Sequence, residues 1–336
     1  MAGTDKKKKG RTVEYGRYGY FFIAPFFIVY AIFQLYPLIN TIRLSFCRNL
    51  FDAFGKEIGP DFNGLDNYKD VLFGTSGKFL DTPTIDALSN TFIMWFLNFL
   101  PQLLLATLLA AWFTDTKIKL KRQGAYKIMV FMPNIITAAT IAVLFYSLFN
   151  FPQGPINQAF VNAGIWDEPF NFWLSKWAVR LLVAFINFWM WYGNTMIVLV
   201  AGILGINPSL FEAARVDGAT STQIFFRVTL PLLRPIMLFS LVTSAIGGLQ
   251  MYDIPKLLTQ SGYGDPDFAS RTITMYIKDL ALTGARQVGK ASAASMVLFA
   301  VTLVISLVLF YIMRDKEAIK EKKAIKLAQK KGGNAA

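Results

Sequence analysis

The side chains that most often carry covalent or metal chemistry are scarce in this chain. It has no histidine and one cysteine, Cys47, which removes the commonest general base, the commonest metal ligand and any intrachain disulfide. An acid pair or an activated serine is the remaining route to catalysis, and no such set stands out at a useful spacing. The polar groups that do attract attention are amides inside long apolar runs: Gln34, Asn40, Asn98, Gln102, Asn134, Asn187, Asn194 and Gln250. Amides seldom face lipid, so these either hydrogen-bond between helices or line an internal polar path. Residues 207–234, NPSLFEAARVDGATSTQIFFRVTLPLLR, form a second candidate. They are too polar to span a membrane and too regular for a plain loop.

That segment carries its own start and stop signals. Asn207 is a helix cap with Pro208 at the first helical position, and Leu210, Phe211, Ala214 and Val216 give the helix partial apolar character. Gly218 ends or bends it, because glycine inside a helix costs about 1 kcal/mol relative to alanine. Ile224, Phe225, Val228 and Leu232 then recur near helical spacing, with Thr222, Gln223 and Arg227 at other positions, and Pro231 and Pro235 mark the turn into the next apolar run. A helix, a glycine bend and a second helix make a knob that suits a partner's groove, or an amphipathic element that lies on the membrane.

The elements that hold these groups are membrane spans. The chain has 336 residues, is 54% hydrophobic and only 16% charged, and its mean hydropathy is positive, which is far from the usual soluble domain. Apolar runs at about 20–46, 92–113, 125–149, 177–204, 232–249 and 291–313 are each long enough to cross a hydrocarbon core of about 30 Å. The expected fold is therefore all-α: an integral membrane bundle of six transmembrane helices, with a cytoplasmic helix pair at 207–231. The first run lacks a small-residue cleavage site and reads as a retained helix.

Orientation follows from where lysine and arginine collect. Residues 1–19, the loop with Lys117, Lys119, Lys121, Arg122 and Lys127, the stretch with Arg215, Arg227 and Arg234, and the tail 314–336 are basic. These segments, and so both ends, are expected in the cytoplasm, near anionic lipid. The alternate loops are poorer in basic residues, and the loop between the first two runs carries Asp52, Glu57, Asp61, Asp66, Asp70, Asp81 and Asp86. Its glycines and Pro60 fit either a small folded cap or a solvated loop. This distribution accounts for the formal charge of +13 without nucleic acid.

Glu212, Ala213 and Ala214, followed by Asp217, Gly218 and Ala219 and then by Leu230 and Pro231, resemble the EAA signature of permease subunits of ATP-binding-cassette (ABC) importers. Asn63, Gly64, Leu65, Asp66, Asn67 and Tyr68, with Tyr252, Asp253, Pro255, Leu257, Leu258 and Thr259, resemble phrases of the carbohydrate branch, close to the maltose-type first permease. The chain departs from that branch at Ser261, Gly262, Tyr263 and Gly264, where two glycines and a proline are usual.

The resemblance implies a bacterial plasma-membrane protein that moves a sugar by alternating access. It implies a second permease as heterodimer partner, a cytoplasmic ABC ATPase dimer that receives the 207–231 element, and an external solute-binding protein. No cofactor is expected in this chain. ATP and Mg are expected on the ATPase, and the sequence holds no G-x-x-x-x-G-K-[ST] loop. The sugar path is expected to use Phe188, Trp191, Tyr192, Thr195, Gln250 and Tyr252, as stacking faces and hydrogen-bonding groups; Trp189 and Trp191 equally fit an interfacial belt. The span interiors lack a lysine or arginine cluster, which suits a neutral solute. An ion-coupled secondary transporter or channel is the alternative that mid-membrane polar groups also permit.

Overall fold

The computed structural model describes residues 16–52, 54–74, 82–115, 121–259 and 261–313. The basic ends at 1–15 and 314–336, Lys117, Lys119 and Asp81 lie outside the described residues. In chain order, α1 (Gly16–Tyr30) passes through a π turn at Ala31–Leu35 into α2 (Tyr36–Ser45). Pro37 has no N–H to offer the carbonyl four residues back, and the helix widens just before it. A hairpin of β1 (Cys47–Phe51) and β2 (Glu57–Phe62) follows, antiparallel with Cys47 opposite Phe62. Then come α3 (Asp66–Phe73), α4 (Pro83–Thr114), α5 (Gln123–Phe131), α6 (Ala138–Leu148) and α7 (Pro155–Asn162). The rest of the chain forms α8 (Lys176–Leu204), α9 (Pro208–Val216), α10 (Ser221–Ile224), α11 (Leu230–Leu232), α12 (Arg234–Leu249), α13 (Asp253–Leu258), α14 (Ile273–Leu282) and α15 (Val288–Met313).

Among the described residues, five helical stretches are long and apolar enough to cross a membrane: Gly19–Ser45, Pro83–Thr114, Lys176–Leu204, Arg234–Leu258 and Val288–Ile312. A bent pair, Gln123–Ile135 with Ala138–Leu148, turns through 91° and completes six if it is taken as one span. Ile136 and Thr137 are both extended, which ends the first arm, and the Thr137 hydroxyl caps the second by accepting from the Thr140 N–H. Two bounds differ from the sequence reading by more than a helical turn. The second span starts at Pro83, because Thr82 accepts from the Ile85 N–H and Pro83 occupies the first turn. The fifth does not stop at 249 but resumes beyond a break and ends at Leu258.

α4 and α8 pack against each other along much of their lengths. Met94, Ile141, Val183, Ile186, Ile254 and Leu258 fill one core between α4, α6, α8 and α13. Ala106, Ala110, Phe113, Leu199, Ile203 and Leu233 fill another toward the opposite end of α8. Close approach of α5 to α8 depends on Gly193, since a Cβ there would collide with the Val130 carbonyl. The first span is different, with none of its apolar window buried; its phenylalanines face outward, as lipid-exposed side chains do.

The hairpin loop is a folded cap. Asn67 Nδ2 donates to the Ser45 and Cys47 carbonyls at 3.0 and 2.8 Å, and Tyr68 Oη to Ser45 Oγ at 2.7 Å. Lys290 pairs with Asp70 at 2.8 Å and joins the cap to α15. At the same end Arg180 donates to Asn90 Oδ1 at 2.7 Å and to the Ala269 carbonyl at 2.9 Å, while Asn90 Nδ2 donates to the Phe268 carbonyl at 2.9 Å. The loop after Thr259 is thereby tied to α4 and α8. Its Gly264, at φ +89°, accepts from the Ser270 N–H at 3.1 Å.

Candidate functional site

α12 ends at Leu249, just after Gly247 and Gly248, and α13 starts at Asp253, so Gln250, Met251 and Tyr252 interrupt the fifth apolar stretch, Arg234–Leu258. Irregular backbone there is tolerated only where protein buries it or a wet cavity accepts its polar groups. A cavity of about 520 Å³ lies at this break, within the range of about 300–1,000 Å³ usual for small-molecule sites. Its walls come from α4 (Asn98, Gln102), from α8 (Asn187, Trp191, Asn194, Thr195, Val198), from α12 (Ser240, Thr243, Ser244) and from the break itself.

Four of the six expected path residues line it: Trp191, Thr195, Gln250 and Tyr252. Trp191 is 46% exposed, so its ring is open to a ligand. Thr195 Oγ1 accepts from Gln102 Nε2 at 2.7 Å and donates to the Trp191 carbonyl at 3.3 Å, which fixes the α4 and α8 walls against each other. Tyr252 has the Lys278 ammonium 3.4 Å from its ring centroid, a cation–π contact. Phe188 and Tyr192 are not in the lining. Their rings pack on each other, with centroids 5.6 Å apart, one step round the helix from the cavity face.

Among the amides, Asn98, Gln102, Asn187, Asn194 and Gln250 line the cavity, whereas Gln34, Asn40 and Asn134 do not. Asn134 Nδ2 instead donates to the Met190 carbonyl at 3.3 Å, an interhelical bond. Sequence reasoning missed Ser240, Thr243, Ser244 and the role of Asp253. The first three had a signal: with Gly247 they fall at i, i+3, i+4 and i+7, a polar stripe of helical period.

The second region, residues 207–232, is a knob at the other end of these helices. Asn207 Oδ1 accepts from the Ser209 N–H at 3.1 Å and opens α9. The helix closes in a Schellman arrangement, with the Gly218 N–H on the Arg215 carbonyl at 3.0 Å and the Ala219 N–H on the Ala214 carbonyl at 2.9 Å. Gly218 sits at φ +77°, a region glycine reaches without strain. Thr220 and Gln223 then form a capping box, at 3.3 and 2.8 Å, that starts α10. A π turn at Phe225–Thr229 carries the chain to α11.

Glu212, Ala213, Asp217 and Gly218 are exposed, Ala214, Leu230 and Pro231 half-buried, and Val216 is 88% exposed. Phe211 packs inward on the core that holds Ile203 and Leu233. The knob is thus rooted in the bundle and presents its acid–alanine face outward. It is also spliced between α8 and α12, two of the helices that wall the cavity.

A multi-pass helical bundle with a polar cavity at a broken span, and a capped knob between two of its walls, describes a transport permease. The chain belongs to the family of binding-protein-dependent transport system inner membrane components, whose family model matches residues 82–316. It is 30% identical over 305 residues to the lactose transport system permease protein LacF of Rhizobium radiobacter, covering 89% of this chain and 95% of LacF. It is 29% identical over 291 residues to the arabinooligosaccharides transport system permease protein AraP of Bacillus subtilis, covering 86% of each. Among solved structures it resembles a chain of a bacterial ABC transporter involved in the import of the acidic polysaccharide alginate, with TM-score 0.73 and 25% identity over 90% of this chain and 97% of that one.

Proposed function

We propose that this chain is the permease subunit of an ABC importer that passes a sugar through the cavity between α4, α8 and α12. Family membership supports the transport class, and relatives named for lactose and arabinooligosaccharides support the sugar. One observation carries the mechanism: the knob and the cavity share α8 and α12. A partner that grips Glu212, Ala213, Ala214, Asp217 and Gly218, with Leu230 and Pro231 at the root, moves both helices when it moves. Alternating access then needs no chemistry in this chain.

The partner in that role is a cytoplasmic ATPase pair, which holds ATP and Mg. A second permease closes the path, and an external solute-binding protein delivers the sugar. A related solved complex contains a periplasmic protein bound to an alginate pentasaccharide, which supports the last assignment. The basic segments support a cytoplasmic position for the knob and both ends. In the cavity Trp191 and Tyr252 stack on sugar rings, and Thr195 and Gln250 hydrogen-bond hydroxyls.

The test is purification of the intact complex from native membranes, with uptake measured in proteoliposomes. The reading expects a co-purified ATPase and uptake that needs ATP inside the cytoplasmic face. Uptake driven by an ion gradient with no ATPase present overturns it in favour of the ion-coupled alternative. Single-cysteine labelling in a Cys47-free background checks orientation: Glu212→Cys must resist, and Asp167→Cys accept, an impermeant reagent added outside intact cells.

A further inference from the structure

Resting on that reading of the cavity as the solute path, we infer that this chain's half of the path selects neutral, hydroxyl-rich sugars and excludes anionic ones, and that Asn98 and Asp253 set the choice. Asp253 is the one lysine, arginine or carboxylate residue among the described lining residues. It lies inside the fifth membrane stretch, Arg234–Leu258, and makes no ion pair among the described residues. An ionisable side chain within a span, exposed on a cavity wall, marks a solute pathway. A fixed carboxylate in such a cavity accepts hydrogen bonds from hydroxyls and repels carboxylate, sulfonate or phosphate groups.

Asn98 points to the same ligand. It is only 5% exposed, it lines the cavity, and its Oδ1 is buried without a hydrogen-bond partner. A buried acceptor left unmade is costly, so a turn of the Asn98 side chain that opens it to a solute O–H gains more than one ordinary hydrogen bond. An ionised carboxylate only accepts and cannot fill that place, so Asn98 selects for a hydroxyl while Asp253 selects against the charge. The other amides are already engaged in part: Gln102 Nε2 on Thr195, and Asn187 Nδ2 on the Val183 carbonyl at 2.8 Å. Lys278, whose ammonium rests on the Tyr252 ring, is not itself a lining residue. The resemblance to an importer of an acidic polysaccharide therefore does not extend to the charge of the solute.

The experiment starts from the whole importer with its binding protein, purified from native membranes, and identifies the bound solute by mass spectrometry. A glycan without carboxylate, sulfonate or phosphate is expected; an acidic glycan overturns this inference and leaves the sugar-importer reading standing. A solute that is no carbohydrate overturns the sugar-importer reading. Uptake is then compared between that sugar and a derivative, oxidised to the carboxylate at a primary hydroxyl, that the isolated binding protein still binds. Asp253→Asn is expected to raise uptake of the acid relative to the parent sugar about tenfold. The same binding protein serves both proteins, so an unchanged ratio overturns the role of Asp253. Asn98→Leu is expected to raise the KM for uptake about tenfold, and Asn98→Ser, which restores an acceptor, to recover much of it. Equal loss in both, at equal yield of assembled complex, overturns the role of Asn98.

Discussion

In the knob, every position of interest lies within residues 207–232, and each is held by its neighbours: an Asn–Pro start, a glycine stop, a capping box. In the cavity, the walls come from Asn98 on α4 through Ile254 on α13, and are brought together by helix packing and by a broken span. In the proposed mechanism the knob is a local structure that acts at a distance. The cavity is a distant assembly that acts locally. The difference predicts different failures: a knob variant should uncouple an intact bundle, whereas a cavity variant should change what the bundle carries or whether its walls meet.

The largest effect is expected from Gly218→Pro. Proline cannot reach φ +77° and removes the N–H that bonds the Arg215 carbonyl, so the two short helices lose their angle at a cost of about 3 kcal/mol or more. Uptake and ATPase co-purification should fall to background while the protein still inserts at normal levels. Glu212→Lys should act in the same direction and more weakly, because it reverses a charge on the exposed face without touching the backbone. Near-normal uptake in Gly218→Pro would reduce the knob to a surface helix and erase the contrast.

Next in size is Gly193→Val, which probes the walls. The added carbons meet the Val130 carbonyl where α5 crosses α8, and overpacking of this kind costs about 1–3 kcal/mol. The expected signature is a lower yield of monodisperse protein and a lower thermal midpoint in detergent, with uptake per folded complex less affected. A variant of normal stability would mean that the bent pair is free to move off α8. Trp191→Ala and Tyr252→Ala follow. Each removes a lining ring, worth about 0.5–1.5 kcal/mol beyond its area, so uptake should fall several-fold, up to about tenfold, with assembly intact.

The two regions also differ in how far their residues announce them. Asn207, Pro208 and Gly218 do in the fold what their side chains and backbones dictate locally, so the knob was legible. The spans were legible from hydropathy, but the bend at Ile136–Thr137 and the restart at Asp253 were not, because each depends on what packs beside it. Part of the cavity is readable from helical spacing. Asn187, Trp191, Asn194 and Val198 recur at helical spacing on α8, as Ser240, Thr243, Ser244 and Gly247 do on α12. On α4, Asn98 and Gln102 are likewise four apart, whereas Asp253 has no such pattern; only the fold brings it to the same volume.

The smallest effect is expected from Phe188→Leu and Tyr192→Phe, and it decides how wide the path is. These residues lie beside Trp191 in sequence, yet the rotation of about 100° per residue puts them next to the lining face and not on it. Phe188 packs between Phe185, at 6.0 Å, and Tyr192, at 5.6 Å between ring centroids, so its neighbours are other rings of the same helix. Leucine keeps most of the apolar surface, and phenylalanine removes only a hydroxyl that the described hydrogen bonds do not use. Uptake and KM should stay within about twofold of the parent, since substitutions away from a working contact are usually worth less than about 0.5 kcal/mol. A tenfold loss in either, matching that of Trp191→Ala, would mean that the solute touches a broader face of α8 in another state of the cycle, and the boundary between lining and packing residues would have to move one step round the helix.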